Sequence, residues 1–128
     1  MDSKDFIKRV EELKKLGGHP GFYDLLLQIA ELHARKNHDY AQNQDPLSNL
    51  KWCANFDISP FKGVLVRLSD KWSRITELSK KEAMVASESI KDTLLDNAVY
   101  SLLAIILYED EQAERQVQLT KPTKIKRP

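Results

Sequence analysis

Residues that let a chain turn are scarce here. Four glycines and five prolines in 128 residues leave few places to reverse direction. A many-stranded β architecture needs such places every few residues, whereas a few long helices do not. The expected class is therefore all-α. The length suits one domain with a proper core. A chain that is 41% apolar and 30% charged fits packed helices better than disorder.

Apolar periodicity divides the chain into four main helices. The first spans about Ser3 to Leu16, with Phe6, Val10 and Leu13 at helical spacing and Gly17-Gly18 as its stop. The second runs from Pro20 to about Lys36, with Phe22, Leu25, Leu26, Ile29 and Leu32 as its stripe. From Asn37 to Ile58 periodicity is lost, and a long polar loop is expected, anchored by Leu47, Leu50, Trp52 and Phe56. The third helix begins at the cap Ser59 and the N1 proline Pro60, and ends near Leu78. Ser79 to Ser87 reads as a polar connector. The fourth helix then runs from Ser87 or Ser89 to about Glu111 or beyond. The expected fold is a helical bundle. It comprises an N-terminal helix over 1–18, a helical domain over 19–117 and a basic, disordered tail over 118–128.

Several function classes are disfavoured. The tail holds Lys121, Lys124, Lys126 and Arg127 and no acid. Without those four, the chain's 20 basic residues fall to 16 against 19 acids, a net of −3. A mildly acidic body is a poor nucleic-acid surface. The lone Cys53 has no disulfide partner and no base beside it in sequence, so a structural thiol and a cytoplasmic setting are expected. Met1 to Asp5 lacks the layout of a signal peptide. The longest apolar run, Leu102 to Leu107, is too short to cross a membrane.

The fourth helix carries the sharpest chemical signal. At about 100° per residue, Glu88 and Asp96 lie within roughly 40° of Asp92, and Leu95, Val99, Leu103 and Ile106 within about 60°. One face is thus acidic, then apolar, and the acids are expected to turn inward with the apolar half. Inward carboxylates call for a cation or a metal. Carboxylates four residues apart suit a hard divalent ion. The plainer reading is a helix N-terminus whose dipole favours acids. It accounts for Glu88 well and for Asp96, two turns in, poorly.

On the third helix Arg67, Asp70, Lys71 and Arg74 share one stripe. Arg and Lys together suit phosphate oxygens. A solvated face with an Asp70–Arg74 ion pair is the plainer reading. At the end of the second helix, Lys36, His38, Asp39 and Tyr40 are dense in polar groups that can stack on a base or read its edge, or simply cap the helix. His19 and His33 have no evident partner in the sequence.

Lys36-x-His38-Asp39-Tyr40, Arg67-x-x-Asp70-Lys71-x-x-Arg74 and Glu88-x-x-x-Asp92-Thr93-x-x-Asp96-x-x-x-Tyr100 together resemble a phage and bacterial family, the nucleotide modification associated domain. That family is similar to the MazG-like all-α nucleoside triphosphate pyrophosphohydrolases. The resemblance covers roughly Phe22 to Tyr108. It implies Mg²⁺-dependent cleavage between the α- and β-phosphates of a nucleoside di- or triphosphate, modified or not. Asp70, Asp92 and Asp96 would be catalytic, and with Glu88 would hold the metal. Lys36, His38, Asp39, Tyr40, Arg67, Lys71 and Arg74 would bind the nucleotide. It also implies a homo-oligomer. MazG-like enzymes carry a second acidic pair on the earlier helix, where this chain has Arg67 and Asp70. That departure weakens a metal site and opens an alternative, a phage protein that binds or sequesters a nucleotide without cutting it. A helical interaction protein without a ligand is a third reading.

Overall fold

The computed structural model describes residues 1–40, 45–81 and 83–121, with the backbone alone at 39–40 and 83–89. Every regular element among these residues is helical: α1 (Ser3–Leu16), α2 (Pro20–Tyr40), α3 (Ser48–Lys51), a 3-10 turn (Trp52–Phe56), α4 (Pro60–Leu78) and α5 (Ala83–Thr120). The all-α expectation holds. The count differs from four, because the polar stretch after Tyr40 contains the single turn α3. The chain divides into two compact units, Met1–Tyr40 and Ala41–Pro128.

In the first unit, local chemistry sets the helix ends. The Asp2 side chain accepts from the Asp5 N–H at 3.0 Å and caps α1. Gly17 ends it at φ 131°, a backbone region that side chains avoid, and the Gly18 N–H returns to the Leu13 carbonyl at 2.9 Å. Gly18 is needed for a different reason, since a Cβ there would overlap the Tyr23 ring. The Lys14 ammonium lies 5.8 Å from the centre of that ring. His19, without an evident partner in the sequence, has a structural task. Its Nδ1 accepts from the Gly21 N–H at 3.0 Å, serving the open start of α2. His33 also has a partner, with its Nε2 3.2 Å from the Asn37 amide. An apolar groove of about 300 Å³ runs between Phe6, Val10, Tyr23 and Leu26.

In the second unit, α4 and α5 form an antiparallel hairpin. Contacts climb it like rungs: Phe61 against Tyr108 with ring centres 5.3 Å apart, Arg67 beside Tyr100, and Lys71 beside Asp96. Ser59 accepts from the Lys62 N–H at 3.0 Å and Pro60 opens α4, as its sequence predicts. The Glu111 carboxylate reaches across from α5 to accept from the Phe61 N–H at 3.3 Å. The core is Leu50, Val64, Val99, Leu103, Ala104 and Leu107, with Thr93 and Asn97 buried among the polar residues.

α5 is longer than its periodicity suggests. Its 38 residues span about 57 Å. Ala83 to Ala86, expected within the connector, are good helix formers in the main and join the helix. At the other end α5 enters the expected tail as far as Thr120, and residues 122–128 lie outside the described set. α2 likewise extends past Lys36 to Tyr40.

The structural reading of Cys53 is supported. Its Sγ lies 3.5 Å from the Leu50 carbonyl and 3.7 Å from that of Ser59. A Cβ at Gly63 would approach that sulfur to 2.8 Å, so glycine admits the close contact between α4 and the 3-10 turn. No helix is long and apolar enough to cross a membrane among the described residues.

Candidate functional site

Two of the motifs, distant in sequence, lie side by side on the α4–α5 hairpin. Lys71 Nζ donates to Asp96 Oδ2 at 3.2 Å, and both side chains are half-buried, 29% and 21% exposed. Four residues earlier on α4, the Arg67 guanidinium lies 3.5 Å from the Tyr100 hydroxyl and 5.9 Å from the centre of its ring. The antiparallel register sets Arg74, one turn beyond Lys71, level with Asp92. Arg67, Asp70 and Arg74 are exposed. Among the described residues no ion pair joins Asp70 to Arg74, so these side chains are not consumed by the solvated pairing that the sequence also allowed.

The inward turn expected of the acids is met at one position. Asp96 is half-buried and paired, whereas Asp92 is exposed. The cause is the direction of the α5 core face. The apolar set predicts a face centred near Val99. The residues buried include Thr93, Asn97, Ala104 and Leu107, which turns the interior by roughly 90°. Small and polar side chains occupy part of the seam with α4, while Ile106 is left 45% exposed. Asp92 thereby falls at the rim, and Asp96 nearer the seam.

Arg67, Lys71 and Arg74 line one stripe of this face. Among the described residues no three His, Cys, Asp or Glu side chains converge as a metal-holding group. The Asp96 carboxylate is engaged by an ammonium, and Asp70 and Asp92 face solvent. The Glu88 side chain, expected as a fourth ligand, lies outside the described residues. Three cations spaced by three and four along one helix face can contact several oxygens of a phosphate chain.

The remaining predicted residues belong to the first unit. Lys36 is half-buried and His38 exposed on the last turns of α2. The side chains of Asp39 and Tyr40 lie outside the described residues. Glu31 stands 3.6 Å from Arg35 on the exposed side of α2.

One feature of the second unit escaped the sequence. A groove of about 670 Å³ lies beside the start of α4, between Lys51 and the α5 residues Asp110, Glu111 and Glu114. Its walls come from segments some sixty residues apart, and neither carries a motif. At its edge Lys51 holds Asp45 at 2.8 Å. With the Leu47 N–H, that contact keeps the Asp45 carboxyl below its ordinary range. Compared with family models, with curated proteins and with solved structures, the chain matches none.

Proposed function

We propose that this protein binds a phosphorylated nucleotide on the charged face of the α4–α5 hairpin, with Arg67, Lys71 and Arg74 holding its phosphates. The observation that carries the reading is the Lys71–Asp96 contact, which joins the cationic and acidic motifs on one face. The choice of a nucleotide among phosphate-bearing ligands rests on the resemblance of those motifs to MazG-like enzymes. Tyr100, beside Arg67, offers an aromatic group nearby. Binding is favoured over cleavage, because Arg67 stands where the MazG-like enzymes that the motifs resemble carry an acid. A cation there attracts phosphate and repels a second metal. Mg²⁺ would enter with the phosphates rather than as a resident ion. A cytoplasmic setting fits this reading, since nucleotides are abundant there.

The test is calorimetry against a panel of nucleoside mono-, di- and triphosphates, with and without Mg²⁺, followed by product analysis. Binding without rapid turnover is expected. Arg74→Ala should lose a charge-assisted contact of about 1.5–3 kcal/mol, or roughly ten- to a hundredfold in affinity. Absence of binding to every nucleotide at millimolar ligand would overturn the proposal. Fast Mg²⁺-dependent release of pyrophosphate would favour the hydrolase instead.

A further inference from the structure

The face of α5 turned away from its core seam is apolar over its middle. Leu94, Leu102 and Ile105 are 45%, 50% and 53% exposed, and Ala98 lies on the same stripe. All four fall within roughly 40° of one direction, opposite the buried side. Lys91 bounds this stripe at its start and Glu109 at its end, both exposed and both on the stripe's axis. A helix that is apolar on two sides is built to be covered on both.

The order of charges selects the cover. If α5 meets α5 of a second copy antiparallel, with the two-fold axis at the level of Tyr100, Lys91 of each copy faces Glu109 of the other. Leu94 then packs against Ile105, and the small Ala98 lies opposite the large Leu102. Every position finds a complementary one, and the contact is isologous. A parallel pairing would set Lys91 against Lys91 and Glu109 against Glu109, which costs affinity.

From this pattern we infer that the chain forms a two-fold dimer through the outer face of α5, in antiparallel register centred on Tyr100. The stripe from Lys91 to Glu109 is about 27 Å long. One helix face of that length is small beside the ~800 Å² per partner of a standard interface, so the dimer is reversible. The inference is independent of the nucleotide proposal.

Sedimentation equilibrium from micromolar to near-millimolar protein tests it, with circular dichroism to verify that each variant is folded. Wild type should dimerise, and Leu102→Asp, at an exposed position, should stay monomeric. Lys91→Glu replaces two attractive pairs with two repulsive ones and should weaken the dimer roughly tenfold. Glu109→Lys should do the same, and the double variant Lys91→Glu/Glu109→Lys should restore it. A wild type that remains monomeric throughout would overturn the proposal, as would a dimer indifferent to Leu102→Asp. Single charge reversals that are not rescued by the double variant would overturn the antiparallel register.

Discussion

The Lys71–Asp96 contact is the most informative place to perturb this protein. At 3.2 Å two unit charges attract by about 5 kcal/mol in an effective dielectric near 20. Desolvation and side-chain ordering cancel most of that. Charge-assisted hydrogen bonds retain about 1.5–3 kcal/mol, and fully exposed pairs only about 0.2–1. With side chains 29% and 21% exposed, this pair should fall between, at about 1–2 kcal/mol of coupling. Urea unfolding of wild type, Asp96→Asn, Lys71→Met and the double variant isolates that coupling from whatever else each side chain touches. A coupling within about 0.3 kcal/mol of zero would refute the argument that the contact joins the two helices energetically. The same variants report on function. Asp96→Asn releases the Lys71 cation, so affinity for inorganic phosphate without Mg²⁺ should rise several-fold. A fall in Mg²⁺-dependent nucleotide affinity, with no gain for phosphate alone, would assign Asp96 to a metal.

Three further predictions follow from the geometry. Arg67→Glu should lower phosphate affinity without Mg²⁺ and raise the dependence of nucleotide binding on Mg²⁺, measurable by calorimetry with the metal varied. Gly63→Ala should destabilise by about 1–3 kcal/mol from overpacking against Cys53 Sγ, partly offset by alanine's better helix propensity, and Cys53→Ala should relieve much of the loss in a thermal-unfolding cycle. The Asp45 carboxyl should titrate below its ordinary value of 3.8, because Lys51 and the Leu47 N–H favour its charged form. The stability this adds is present above the unfolded value and lost as pH falls through the folded one, and an NMR titration should show Lys51→Ala moving Asp45 back up.

Sequence alone determined the parts of this protein that depend on near neighbours. Gly17 and Ser59-Pro60 mark helix ends because caps act within one turn, and α1 ends and α4 begins where these residues set them. The all-α class followed from the same local logic. What lay beyond a few residues was less legible. His19 carries no sequence signal as a cap, because histidine seldom serves there and its role depends on a ring nitrogen reaching Gly21. The orientation of α5 needed α4. Periodicity gives the angle of each side chain about its own helix, but only the packing partner decides which angle is interior. The seam took Thr93, Asn97 and Ala104 and exposed Ile106, which moved Asp92 to the rim and left Asp96 against Lys71. The residues of the candidate face were thus named by their spacing. Their pairing was decided by the antiparallel register of two helices, because contacts across a hairpin depend on where both helices start and how they are turned.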